Sequence, residues 1–207
     1  MPVSVPGTMP VSVPVSVPGT MPVTMAELMA ALPDILAAPK DEAPVLGLCL
    51  RPGRGERAFP KRITMTRAGG IPGERWATEP WLRLADGSPD PRIQVSILPL
   101  RVMTLVWRDR TGTPHPGDPI VVDMDLSLAN LPTGSLIAAG TSVLRVSDAF
   151  NNACAKWKVR YGADAREFIE APGHPALRLR GVLCSVESDG EVALGDRLRV
   201  LRRGTNR

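Results

Sequence analysis

Residues 116–162, PGDPIVVDMDLSLANLPTGSLIAAGTSVLRVSDAFNNACAKWKVRYG, carry the reading that decides the fold. Two runs rich in β-branched and aliphatic residues, IVVDMDL at 120–126 and SVLRVSD at 142–148, are short, bounded by Gly, Pro and Asp, and read as strands. The same pattern extends outward in both directions. Upstream lie VLGLCL at 45–50, RITMT at 62–66 and RIQVSIL at 92–98; downstream lie GVLCSVE at 181–187 and RLRVLRR at 197–203. Ser188-Asp189-Gly190 is a turn signal expected to join the last two as a hairpin. Strands at this spacing predict a mainly β chain closed, or partly closed, into a barrel. A few short helices interrupt it, at 100–108 and at 163–170, where Ala165, Phe168 and Ile169 share a face.

Ahead of these strands the chain changes character. Residues 1–24 repeat MPVSVPGT almost verbatim, as MPVSVPGT, MPVSVP, VSVPGT and MPVT. Proline recurs too often there for a helix or a ladder, so a disordered, polyproline-like tail is expected, with Met21 or Met25 as alternative initiators. Residues 25–43 form an N-terminal helical segment. Thr24-Met25-Ala26-Glu27 reads as a capping box, Leu28, Leu32, Ile35 and Leu36 lie on one face, and Pro33 is expected to shorten or bend the helix. The barrel domain is placed at 44–203, with a C-terminal tail at 204–207.

At 207 residues the chain can bury one sizeable core. Its 22 Pro and 19 Gly favour many turns over long helices. A net charge of +4 favours an anionic ligand but is too modest to argue for nucleic acid. Three cysteines, with no C-x-x-C pair and no Cys/His cluster, argue against a disulfide framework and a zinc site and point to a reducing compartment. The longest apolar run, Ile93 to Trp107, is broken by Pro99 and Arg101, so no membrane span is expected. The first basic residue is Lys40, which leaves no positive flank for a secretory signal, and a cytoplasmic protein is expected.

The cysteines differ in setting. Cys49 and Cys184 sit inside apolar strand runs, where a thiol serves as a small hydrophobe. Cys154 follows two Asn and precedes Lys156, Lys158 and Arg160. An extended backbone would put all four on one face, with Ala155, Trp157, Val159 and Tyr161 on the other. A helical backbone would still bring Cys154 beside Lys158. Nearby cations favour the thiolate, the form that attacks electrophiles, carries a persulfide or ligates a soft metal, and they can also hold phosphate. An outward-facing basic strand edge remains the plain alternative. Weaker constellations are the 69–75 loop GGIPGER as an anion loop, a Cys154/His174 pair with both histidines (His115, His174) in loops, and Asp123 with Asp125 as a base or cation site.

Taken in order, these segments resemble the MOSC family, the C-terminal domain of molybdenum-cofactor sulfurases, over Val45 to Arg202. VLGLCLRPGRGERAFPKRITMTRAGGIPGERW resembles its first strand pair and Gly-Leu-Pro-Gly-Asp-Arg-like turn, with Ile71 and Glu74 as departures. RIQVSILPLRVMTLV resembles the next strand and helix. The 116–162 block resembles the stretch from a Gly-Glu/Asp-Asn-like turn, with Pro119 in place of Asn, through a Leu-Pro-x-Gly hairpin to the family cysteine. LRLRGVLCSVESDGEVALGDRLRVLRR resembles the closing strands. The resemblance implies a MOSC-type β-barrel, with Cys154 ligating molybdenum or carrying persulfide sulfur. Lys156, Lys158, Arg160, Gly73, Arg75 and Asn130 would hold the pterin and phosphate of the molybdenum cofactor.

The same resemblance implies a stand-alone member, with no pyridoxal-phosphate desulfurase domain and no iron-sulfur domain in this chain. It would need a sulfur donor such as a cysteine desulfurase, or an electron-donor protein, and could act in reducing N-hydroxylated compounds. The competing expectation is a non-catalytic barrel that binds anions or nucleic acid, suggested by the basic end LRVLRRGTNR.

Overall fold

The computed structural model describes residues 21–205. Residues 1–20 of the expected 1–24 tail and the last two residues therefore lie outside the described part, whereas Val23 is buried in the apolar layer and Thr24 caps the first helix, so these two belong to the folded body. Helix α1 (Met25–Leu36) starts at the expected capping box: the Thr24 hydroxyl accepts the Glu27 N–H, and the Glu27 carboxylate accepts the Thr24 N–H at 2.8 Å. Pro33 does not end it. The helix runs on to Leu36, with Pro33 and Met29, four residues before it, both on the exposed side. Val23, Leu28 and Ile35 are buried.

Seven strands close a barrel in the order β1 (Ala43–Leu48), β4 (Ile120–Val122), β3 (Val95–Pro99), β7 (Val182–Ser188), β6 (Ser142–Val146), β5 (Leu136–Ala139) and β9 (Arg197–Arg202), which pairs back to β1. Every pairing is antiparallel except β3 with β4. A separate ribbon pairs β2 (Arg62–Met65) with β8 (Gly190–Ala193). Closure leaves the barrel with no free edge. Inward residues such as Val45, Ile97, Ile120, Val122, Ile137 and Leu144 fill it.

On β3 and β4 the alternate residues Leu98 and Val121 point outward and are still fully buried. They are covered by α1, α2 (Leu100–Val106), α3 (Ala155–Tyr161) and α4 (Ala163–Glu170) through Leu28, Val102, Trp157 and Phe168. A short α5 (His174–Leu177) follows. This one-sided helical layer explains why β3 and β4 read as continuous apolar runs.

Several expectations change. Ser188-Asp189-Gly190 does not join β7 to β9: the chain crosses from the barrel into the β2–β8 ribbon there, and β9 pairs with β5 and β1 instead. The reason is that Ser188 still pairs with Val143 on β6, whereas Gly190 already pairs with Met65 on β2. The run at 92–98 begins as a 3-10 turn, Pro91–Ile93, because Asp90 caps the Arg92 N–H and Pro91 occupies the first position. The run at 120–126 ends at Val122. Asp123 turns aside to pair with Arg101 at 2.6 Å, and Asp125 accepts the Ser127 N–H, so neither is a free base or cation ligand.

The stretch after Cys154 is helical rather than extended, since Trp157 and Tyr161, four residues apart, must both reach the apolar layer. His174 is buried in α5. Its Nδ1 meets the Phe168 carbonyl oxygen, which removes it as a partner for Cys154. His115 is also buried, although its segment is a loop.

Candidate functional site

Between the helical layer and one end of the barrel lies a cleft of about 520 Å³. Four separated segments supply its cations: Arg51 and Arg57 after β1, Arg75 from the 3-10 turn Arg75–Ala77, Lys156 and Arg160 from α3, and Arg180 just before β7. Against these six positive side chains the lining holds two carboxylates, Glu79 and Asp118. The cleft is therefore built for a negatively charged guest.

The cations divide by how they are held. Arg51 is pinned by the buried Glu74, which accepts the Arg51 backbone N–H at 2.7 Å and its Nε at 2.8 Å. Arg180 donates to Asp118 at 2.8 Å and lies over the Trp157 ring, 4.6 Å from its centre. Arg57 donates only to the backbone carbonyls of Glu56 and His115, and its partial burial lowers its pKa. Arg75, Lys156 and Arg160 form no ion pair and no side-chain hydrogen bond with any described residue. Three cations thus face the cleft with their donors unused.

Asp118 is the buried end of the site. It is 2 % exposed, and its Oδ2 has no hydrogen-bond partner. Burial alone would raise its pKa. The charge and hydrogen bond of Arg180, helped by Arg51, outweigh that and hold the carboxyl below its usual value. An ionised carboxylate with one oxygen unpaired is an acceptor waiting for an N–H or O–H from a guest. His115 stays neutral close by: burial drives its pKa down to about 4, its Nδ1 accepts the Gly117 N–H, and its ring packs edge-on against Phe59 and Trp107. Tyr161 donates to the Pro114 carbonyl at 2.8 Å, and burial pushes its pKa up to about 12.

Cys154 stands in the wall of this cleft as the residue that caps α3. It is the one exposed cysteine of the three. Cys49 and Cys184 are fully buried, and burial pushes their thiols up to about 11 and about 12. They behave as the small hydrophobes that their strand settings predict.

Of the residues singled out from sequence, Cys154, Lys156, Arg160 and Arg75 come together here. Lys158 is exposed on α3 outside the lining, because two residues are about half a helical turn and carry it to the side away from Lys156. Gly73 sits at an exposed turn with φ of +80°. Asn130 is buried elsewhere, where it bridges the Lys40 and Asp125 carbonyls and accepts from Arg203, so its side chain is fully used in holding loops. The sequence reading missed Arg51, Arg57, Asp118 and Arg180. Their only signal was type: three arginines and a Gly-Asp turn in loops, with nothing to say that these loops meet.

No family model matches the chain, and no curated protein sequence matches it. Solved structures do match. One is described as a hypothetical protein, 15% identical, with a TM-score of 0.56 over 81% of this chain and 70% of that one. Another is YiiM from Escherichia coli, 15% identical, with a TM-score of 0.52 over 80% of this chain and 72% of that one. A third is YiiM from Geobacillus stearothermophilus, 14% identical, with a TM-score of 0.50 over 79% and 77%. The YiiM structures are MOSC-type barrels, and the present chain shares that fold. Among the described residues no helix is long and apolar enough to cross a membrane, and no three His, Cys, Asp or Glu side chains converge as a metal site.

Proposed function

We propose that this protein binds the molybdenum cofactor in the cleft beside Cys154, and that Cys154 either ligates molybdenum or carries a sulfur atom as a persulfide. The observation that carries the reading is the placement of the one exposed thiol in a wall where six cations face two carboxylates. The residues present fit such a group. Arg75, Lys156 and Arg160, with donors unused, suit its phosphate, and the unpaired Asp118 Oδ2 suits a ring N–H. A single thiolate is the soft ligand that molybdenum would take from the protein. When bound, the cofactor would supply two-electron chemistry, such as reduction of an N-hydroxylated compound. The chain's own part is to bind the anion, orient it through Arg180 and Asp118, and offer one thiol.

In the sulfur-carrier form, the Cys154 thiolate attacks the outer sulfur of a donor persulfide. The new S–S bond forms as the donor's S–S bond breaks, and the donor leaves as its thiolate, with no net oxidation. The donor would be a cysteine desulfurase or a similar protein, whereas the cofactor form would need an electron-donor protein.

The test is to purify the wild type and Cys154→Ala from a cofactor-competent host, anaerobically and without reductant, and measure molybdenum, pterin and intact mass. Molybdenum in the wild type that falls at least about tenfold in the variant supports ligation. An added 32 Da, removable by cyanide and absent from Cys154→Ser, supports sulfur carriage. Neither metal, pterin nor added sulfur in the wild type would refute the proposal and leave a plain anion-binding barrel.

A further inference from the structure

The chain has few aromatic residues, three Phe, four Trp and one Tyr; Trp76, Trp157, Tyr161 and Phe168 are buried, Trp107 is half-buried, and Phe59 is exposed away from the cleft, its ring edge-on to His115. Two are instead spent on the mouth of the cleft. Trp81 is 66% exposed and Phe150 is 45% exposed, and both belong to its lining. Leaving large aromatic surface in water is unfavourable, and an exposed aromatic in a concave, polar-rimmed site marks a contact for a guest.

The two aromatics are also held in place. They belong to different loops, and each has an immediate neighbour, Leu82 or Ala149, packed against the same small cluster of Trp76, Ile93 and Leu183. Arg92 ties the loops again by pairing with Asp90 on one at 2.7 Å and with Asp148 on the other at 3.2 Å. The Trp76 indole N–H donates to the Asp90 carbonyl, and Asn151 donates to the Arg180 carbonyl, so both loops are fastened to the cleft floor. Aromatic surface fixed in advance costs little ordering entropy when a ring settles on it.

Resting on the reading of the cleft as an anion site, we propose that Trp81 and Phe150 set its substrate class: flat aromatic molecules that carry an anionic group. In the sulfur-carrier form of the site, where no cofactor phosphate occupies these cations, the ring stacks at the mouth on Trp81 and Phe150, and the anionic group reaches the unpaired Arg75 and Lys156 behind them. Charge complementarity explains the anion, and the exposed rings explain the preference for a ring over an alkyl chain of similar size.

The test uses calorimetric titration of the full-length protein with three probes: 1-naphthyl phosphate, n-hexyl phosphate and inorganic phosphate. Stacking on two aromatics is expected to make the naphthyl ester bind about tenfold tighter than the hexyl ester. Trp81→Ala and Phe150→Ala should each cut that preference to about threefold, and the double variant should abolish it, with inorganic phosphate bound within about twofold of wild type throughout. Unchanged phosphate binding also shows that the variants are folded. Phosphate binding without any ring preference in the wild type, or a preference that survives in the double variant, overturns the aromatic inference alone. Failure of all three probes to bind overturns the anion-site reading beneath it as well.

Discussion

Replacing Arg180 with Met strips the counter-charge from a carboxylate that has almost no access to water. Asp118 is 2 % exposed, accepts from Arg180 at 2.8 Å, and already has one oxygen unpaired. Breaking a buried pair by removing one partner costs about 3–5 kcal/mol. Arg51 remains near enough to hold part of the charge, which puts the expected loss at the lower end, about 3 kcal/mol, including the lost stacking on Trp157. For a chain of this size that is a fall in Tm of about 6–12 °C.

The loss must depend on pH, and its sign follows from the same carboxylate. In the wild type the folded pKa of Asp118 lies below the unfolded one, so its contribution is present above about pH 4 and fades as pH falls through the lower folded value. In Arg180→Met desolvation dominates and lifts the folded pKa above the unfolded one. The penalty is then full at pH 7 and shrinks as the carboxyl takes up a proton on the way to pH 4.5. Urea unfolding of both proteins followed by tryptophan fluorescence at the two pH values measures this, with Asp118→Asn and the double variant completing a cycle. A deficit under about 1 kcal/mol at pH 7, or an equal deficit at both pH values, would refute the account of Asp118 as a buried, Arg-held carboxylate.

Three further predictions concern separate elements. Iodoacetamide on the native protein at pH 8 should label one thiol, Cys154, while labelling in denaturant should reach all three; fast native modification of Cys49 or Cys184, read by peptide mass, would contradict their burial. Thr24→Ala removes the hydroxyl that caps α1 and should cost about 1 kcal/mol at pH 7. Its partner Glu27 is held down to a pKa of about 2, first by the Thr24 backbone N–H, so the box stabilises above about pH 4.5 and fades toward pH 2, which a thermal-melt series across that range would show. Gly181→Ala should lose at least about 2 kcal/mol, because φ is +88° there and a Cβ would overlap the Ile97 carbonyl oxygen on the neighbouring strand; a Tm unchanged within about 2 °C would contradict the register of β3 with β7.

How far the fold was legible depended on where each run is buried. The strands at 45–50, 62–66, 92–98, 142–148, 181–187 and 197–203 stood out because β-branched runs between turn residues have few other solutions. Strands β5 and β8 went unseen. LIAA at 136–139 and GEVA at 190–193 are short and weak in β-branched residues, and each exists because a partner strand supplies its ladder. The helix after Cys154 was legible only as one of two options, since alternation groups Trp157, Val159 and Tyr161 whereas a four-residue repeat groups Trp157 with Tyr161 and leaves Val159 out. The apolar layer decided between them by burying Trp157 and Tyr161 and leaving Val159 86% exposed.

For the site, local sequence distinguished the three thiols: two lie in apolar runs that must be buried, and one lies among Asn, Lys and Arg that cannot be. It also supplied a capped first helix and a β-rich barrel, because caps, turns and alternation act over a few residues. Which cations meet that thiol was a matter of closure. Arg51, Arg57, Asp118 and Arg180 are separated by up to 129 positions along the chain and reach one cleft because β1, β4, β3 and β7 pair side by side in the barrel and bring the loops at their ends together. Proximity of that kind is created by long-range strand pairing, which no local pattern of residue types contains.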